Sequence, residues 1–279
     1  MATLYISDLD GTLFRDDASL SQASKVALQD LMRDGLEFSV ASARSAVSMR
    51  GLLQGLRFTL PVIEFNGAFL TDLETGRHEV INALEPEIAA EIFRSIVRVS
   101  HSPFVSTYDG KTDCVYYRAA SNEGERHYLS DRIAHNDHRF RQTRTLSDGL
   151  RDQVVCLTVI GESGPLGELE LALREQHGDR VEIHLFENAY SPGWHWLTIH
   201  DRRATKDQAI RLLMDTYGLA EHDLVVFGDH LNDIKMFKIA TQAVAVENAH
   251  PEVKRHATRV IGSNEQDSVV KYIRDHHAR

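Results

Sequence analysis

The chain has 279 residues, 42% of them hydrophobic, and a formal net charge of -10. That length holds one large or two ordinary domains with a real core, and the acidic balance argues against a nucleic-acid backbone or an anionic membrane as the main partner. Two isolated cysteines (Cys114, Cys156), no basic-then-apolar leader pattern and no run near the roughly 18 apolar residues of a membrane span together predict a cytoplasmic protein with free thiols.

In chain order, residues 3–7 read as a short buried strand that Gly11-Thr12 turns out of its line. Asp8-Leu9-Asp10 lies at its mouth. Carboxylates two apart are predicted to project toward one side of the strand's carboxyl end, where open α/β sheets place their ligands. One can attack or hold a metal while the other handles a proton. Standing alone, the stretch can also be an acidic solvated turn.

A helix over residues 21–34, with apolar Val26, Leu28, Leu31 and Met32, stops at Gly35. A strand over 37–41 leads into Ser42-Ala43-Arg44, a helix over 46–56 follows, and a third strand over 61–65 ends at Asn66-Gly67-Ala68. Such alternation predicts a parallel sheet with crossover helices.

From 84 to 192 the pattern changes. We read a helix (85–100), a hairpin (104–118) turning at Asp109-Gly110, a helix (122–134), a polar stretch, a strand (154–160), a helix (165–177) and a strand (180–186). Hairpins mixed with helices indicate an α+β module with an antiparallel sheet. The tail returns to alternation: helix 206–217, then strand 224–227 running into Gly228-Asp229-His230-Leu231-Asn232-Asp233. A short helix, strand 242–246, a helix from Pro251, strand 259–261 and a last helix over 266–276 follow. The predicted fold class is α/β: a Rossmann-like parallel-sheet core of residues 1–83 and 193–279, with an α+β cap of residues 84–192 inserted after the third strand.

If strand 224–227 lies beside strand 3–7, Asp229 and Asp233 converge on Asp8 and Asp10. Four acids in a small volume repel strongly; a hard divalent cation relieves this, and oxygen ligands favour Mg2+. Alternatively Asn232 or Asp233 caps the next helix, and both readings can hold together. Ser42 offers a hydroxyl and exposed backbone N–H groups to a phosphoryl oxygen. Lys206 opens a helix at its positive dipole end, a poor place for a cation unless an acid or anion sits nearby. The bland reading of Lys206 is a solvated surface lysine.

These four stations, in this order, resemble the haloacid dehalogenase superfamily of phosphotransferases, and the large insert is similar to that of its Cof-like phosphatase branch. The resemblance implies that Asp8 is the nucleophile and Asp10 the general acid/base. It further implies that Asp8, the backbone carbonyl of Asp10 and Asp229 ligate Mg2+, with Asp233 as a further ligand or outer support. Ser42 and Lys206 would hold the phosphoryl group, while Ala43, Arg44, Asn66, Gly67 and Asn232 would border the phosphate or substrate, with Arg44 either reaching the substrate or bracing a loop. The implied reaction is hydrolysis of a small phosphomonoester, a sugar phosphate first, through an aspartyl phosphate, with the insert as a lid. A phosphomutase, or a binding protein using Asp8 like a receiver domain, competes with this reading.

The chain departs from the family pattern at three places. The usual Thr-Gly-Arg turn reads Ser42-Ala43-Arg44, which loses a glycine's freedom. His230 stands where a small residue is common, and Val246-Glu247-Asn248-Ala249 carries an added carboxylate at Glu247. Elsewhere, Trp194-His195-Trp196 reads as core or hinge packing at the return crossing, with a substrate-facing aromatic as the alternative. His135, Asp137 and His138 read as a solvated loop, since a zinc site needs further ligands. The basic group from Arg139 to Arg144 reads as a charge-balanced surface.

Overall fold

A run such as Leu4-Tyr5-Ile6 has no polar face, so it requires cover on both sides. In the computed structural model these residues form strand β1 (Thr3–Ser7) and are at most 2% exposed. The structure describes residues 2–188 and 190–277; Met1, Ala189, Ala278 and Arg279 lie outside the described residues. The chain divides into two units, Met1–Ile81 with Ala204–Arg279, and Asn82–Arg203.

The first unit begins with β1, α1 (Gln22–Arg33), β2 (Glu37–Val40), α2 (Ala46–Leu52), β3 (Val62–Glu64), β4 (Phe69–Thr71) and β5 (His78–Ile81). The second unit carries α3 (Pro86–Arg98), β6 (Phe104–Tyr108), β7 (Asp113–Tyr117), α4 (Glu123–Ala134) and β8 (Phe140–Gln142), then β9 (Gln153–Gly161), α5 (Ser163–His177), β10 (Val181–Glu187) and β11 (His195–Asp201). The chain re-enters the first unit with α6 (Lys206–Thr216), β12 (Asp223–Gly228), α7 (Ile234–Phe237), β13 (Gln242–Ala245), α8 (Pro251–His256), β14 (Arg259–Val260) and α9 (Ser268–His277).

Five strands of the first unit pair in parallel, in the order β14-β13-β12-β1-β2. Leu4, Ile6, Phe38, Val226 and Phe227 are fully buried in its core, together with Ile210 of α6. Each such side chain contributes about 1.5–3 kcal/mol by leaving water. The expected third strand meets this sheet through a single parallel bridge, Ala41 to Ile63. Beyond it, β3 opens an antiparallel sheet of its own, β3-β4-β5. The sequence reading gave residues 69–81 no strand, because β4 is three residues long and too short for alternation to register.

The second unit is a six-stranded sheet, β10-β11-β9-β6-β7-β8, antiparallel except where β8 joins β7. Ile88 and Ile92 of α3 and Leu166 and Leu169 of α5 pack with Val105, Leu157, Ile183 and Leu197 of the sheet. The return to the core falls later than the expected residue 193. Strand β11 is paired on both sides, to β10 and to β9, and so stays in the second unit. Trp196 is buried there with Phe104 and Ile160, and the Trp194 ring lies against Gly124, so both tryptophans serve packing within that unit. His135 is exposed, and Asp137 is held by Arg139. Among the described residues no helix is long and apolar enough to cross a membrane.

Candidate active site

Strands β1 and β12 run in register, Ser7 opposite Phe227, and the Asp8 N–H donates to the Phe227 carbonyl at 2.9 Å. The residues that follow the two strands therefore emerge side by side. Asp8, Asp229 and Asp233 each bring a carboxylate oxygen within 4.8 Å of the others.

The Lys206 ammonium sits between two of these acids, 2.7 Å from Asp8 Oδ1 and 2.6 Å from Asp233 Oδ1, and its residue is 1% exposed. Its place at the first residue of α6 is thereby explained: two carboxylates outweigh the unfavourable helix dipole. Burial opposes the ammonium, but Asp233 and then Asp8 prevail, and the Lys206 pKa is raised. Asp8 lies well above the usual carboxylate range, first through burial and then through Asp233 and Asp229, with Lys206 pulling the other way. Burial and then Asp233 push Asp229 up to about 6, against the Thr12 hydroxyl and Lys206. Three acids around one ammonium leave the cluster short of positive charge. Carboxylate oxygens with that deficit fit a hard divalent cation such as Mg2+.

Asp233 does two jobs. Its Oδ2 accepts the N–H groups of Asp229 and His230, each at 2.9 Å, so it closes the turn after β12 while its Oδ1 meets Lys206. The expected cap on the next helix is not formed by this side chain, which bonds back to the turn before it instead. Asp229 is steadied by the Thr12 hydroxyl, 2.7 Å from its Oδ1. Gly11, at φ +70°, passes so close that a Cβ there would stand 2.6 Å from Asp229 Oδ2. Asn248 Nδ2 donates to the Gly11 carbonyl at 2.7 Å, while Glu247 is exposed.

Asp10 departs from the expected convergence of four acids. Its carboxylate accepts Arg44 Nε at 2.7 Å and Nη2 at 2.6 Å, and Arg44 Nη1 reaches the Ser48 hydroxyl at 3.2 Å. The carboxylates of Asp8 and Asp10 are thus held by different cations. Strand alternation fails between them because β1 ends at Ser7 and the chain enters a tight turn at Leu9.

Ser42 is 1% exposed, and its N–H is spent on the Ile63 carbonyl at 2.9 Å. Its hydroxyl accepts the Arg44 N–H at 3.1 Å, so neither N–H is the exposed phosphate donor that was expected. Ala43 is exposed and has no left-handed backbone, so the glycine usual in this turn is not needed here. Asn232 Nδ2 donates to Asn66 Oδ1 at 3.0 Å. Gly67, at φ +115°, lies against the residue before Lys206; a Cβ there would stand 2.6 Å from the Thr205 carbonyl oxygen. The structure gives Gly67 a packing contact at the start of α6.

Thr12, Asn248 and Glu64 escaped the sequence reading as site residues. In the sequence Thr12 reads only as a turn residue, and in Val246-Glu247-Asn248-Ala249 the added carboxylate stands out over Asn248. Glu64 had a usable signal, an acid inside the apolar strand Val62-Ile63-Glu64, since a fully buried acid is rare unless bonded. It is 0% exposed, and its Oε2 accepts the Ala46 N–H at 2.5 Å.

A parallel α/β core, an inserted α+β unit and an acid–lysine cluster at adjacent strand ends together define a hydrolase of the haloacid dehalogenase type. A family model for haloacid dehalogenase-like hydrolases matches residues 5–273, and the chain belongs to that family. It is 25% identical to the 5-amino-6-(5-phospho-D-ribitylamino)uracil phosphatase YitU of Bacillus subtilis (strain 168), covering 98% of this chain and 97% of that protein. It is 26% identical to the pyridoxal phosphate phosphatase YbhA of Escherichia coli (strain K12), covering 99% of both. Among solved structures, a haloacid dehalogenase-like hydrolase from Bacteroides thetaiotaomicron superposes with a TM-score of 0.81 at 21% identity, over 99% of each chain.

Proposed function

We propose that the chain is a Mg2+-dependent phosphatase that hydrolyses small phosphomonoesters through an aspartyl phosphate on Asp8. The observation that carries this reading is the buried Lys206 ammonium, 2.7 Å from Asp8 and 2.6 Å from Asp233. A fixed cation beside a carboxylate nucleophile supplies what phosphoryl transfer demands, which is positioning and neutralised charge. The relatives support the substrate class, since those named above are phosphatases of small phosphorylated compounds. Sugar phosphates remain the first candidates.

In the first step an Asp8 carboxylate oxygen attacks phosphorus in line. The phosphorus–oxygen bond to the leaving group breaks, and the departing alkoxide takes the proton of Asp10. In the second step Asp10 takes a proton from water as that water attacks phosphorus. The bond to Asp8 then breaks, releasing phosphate and restoring the carboxylate. Lys206 and the Ser42 hydroxyl hold the phosphoryl oxygens, and Asn66 and Asn232 border the substrate. Arg44 serves Asp10 rather than the phosphate, because its fork orients that carboxylate. Asp8, Asp229, Asp233 and the Asp10 carbonyl would hold Mg2+, which supplies charge neutralisation at the phosphoryl group when bound.

The test is a panel of phosphorylated metabolites with Mg2+, including hexose phosphates and pyridoxal 5′-phosphate, scored by phosphate release. Acid-quenched wild-type protein should carry hydroxylamine-labile phosphate, and Asp8→Asn should lose both turnover and label while staying folded. Near-normal turnover by Asp8→Asn would refute the assignment. Isomer formation without phosphate release would instead establish a phosphomutase.

A further inference from the structure

We propose that Glu64 is a positioning residue for this reaction, a proposal that rests on the phosphatase reading above. Glu64 closes β3, is fully buried and stands outside the acid–lysine cluster. A buried carboxylate is costly unless it is well bonded. Its Oε2 accepts the Ala46 N–H at 2.5 Å; its Oε1 accepts the Thr71 hydroxyl and lies 3.4 Å from His78 Nδ1. Thr71 and His78 face each other across β4 and β5, and the His78 ring stacks on Phe69 at 4.0 Å. The carboxylate is therefore held from behind by a small sheet.

What it holds in front is the start of α2. Ala46 is the first residue of that helix, where the N–H has no partner inside the helix. Immediately before it run Ser42, Ala43, Arg44 and Ser45. Three backbone bonds stitch this run to the end of β3: Ser42 N–H to Ile63, Phe65 N–H to Arg44, and Asn66 N–H to Ser42. Any sequence supplies those three; the bond at Ala46 depends on the side chain at position 64. Two residues further along α2, Ser48 meets the Arg44 guanidinium at 3.2 Å. The group that grips Asp10 is thus tied at its base to the loop and at its tip to α2, and Glu64 anchors both. Through Arg44, Glu64 sets the orientation of the acid/base carboxylate.

A merely structural role would depress all substrates alike. Misorienting Asp10 slows water activation in the second step for every ester, but in the first step, which kcat/KM reports, it penalises only those whose leaving group needs a proton. We would therefore assay p-nitrophenyl phosphate against an alkyl ester, pyridoxal 5′-phosphate or a hexose 6-phosphate, whichever the wild-type protein turns over faster. In Glu64→Ala the alkyl-to-aryl ratio of kcat/KM should fall about tenfold or more, part of the roughly hundredfold or larger factor that proton transfer contributes. Glu64→Gln, which keeps an acceptor for the Ala46 N–H, should restore the ratio to within about threefold of wild type, the residual loss a neutral acceptor implies. If Glu64→Ala does not fold, Ala46→Pro removes the same bond from the other end at a helix position that tolerates proline, and the same fall is expected. A folded Glu64→Ala or Ala46→Pro with an unchanged ratio overturns the proposal alone. A wild-type protein silent on both esters overturns the phosphatase reading and this one with it.

Discussion

Arg44 lays its guanidinium edge against both carboxylate oxygens of Asp10, Nε to Oδ2 at 2.7 Å and Nη2 to Oδ1 at 2.6 Å. A two-point fork fixes the plane of the carboxylate, which a single ammonium does not. Arg44→Lys keeps the charge and loses the plane. We expect its turnover of alkyl phosphates to fall about tenfold to a hundredfold, the scale on which small misplacements act. Steady-state kinetics checks this, and an unaltered kcat would show that the fork is incidental.

Lys206 is the only ammonium drawn into the cluster among the described contacts of Asp8 and Asp233. Lys206→Met leaves two buried carboxylates facing each other, a loss of about 3–5 kcal/mol when one partner of a buried pair is removed. Turnover should vanish and the unfolding midpoint should drop. Because a divalent cation replaces part of the missing charge, Mg2+ should raise the midpoint more in the variant than in the wild type. Thermal melts with Mg2+ and with a chelator decide it; equal Mg2+ effects in both proteins count against the cluster as a cation site.

Gly67→Ala puts a methyl group where the Thr205 carbonyl oxygen is 2.6 Å away, at a φ of +115° that alanine rarely adopts. The strain should cost about 1–3 kcal/mol. Thr205 precedes Lys206, so turnover should fall along with the urea midpoint. A variant as stable and as active as wild type would mean that the turn yields freely.

A buried histidine in the second unit sets a pH dependence. His200 is 1% exposed, and burial brings its pKa down to about 4 from 6.5, with the Val155 carbonyl pulling upward. Between those values the unfolded chain binds a proton that the native protein refuses. Stability is therefore untouched above pH 6.5, falls as pH drops toward 4 and levels off below. The loss is about 3 kcal/mol over that window. Urea unfolding of wild type and His200→Asn at several pH values should show the two proteins' difference shrinking toward acid; a constant difference contradicts the assignment.

Local pattern alone determined much of this protein. Short apolar runs ending in acid-rich turns marked β1 and β12 and, with them, Asp8, Asp229 and Asp233. The misplaced charge at the start of α6 marked Lys206. These features follow from what a few neighbouring residues can do, namely burial, turning and a helix dipole. Only the tertiary structure decided which cation each acid receives. Arg44 is 34 residues from Asp10, and Lys206 is 198 from Asp8, so no spacing rule connects them. The direction of Asp10 escapes sequence reasoning because β1 ends at Ser7 and a tight turn begins at Leu9, so strand alternation does not reach from Asp8 to Asp10. Strands β4, β5, β8 and β11 are not legible in the sequence for a related reason. Their pairing energy comes from partners elsewhere in the chain, and a segment does not announce its partner.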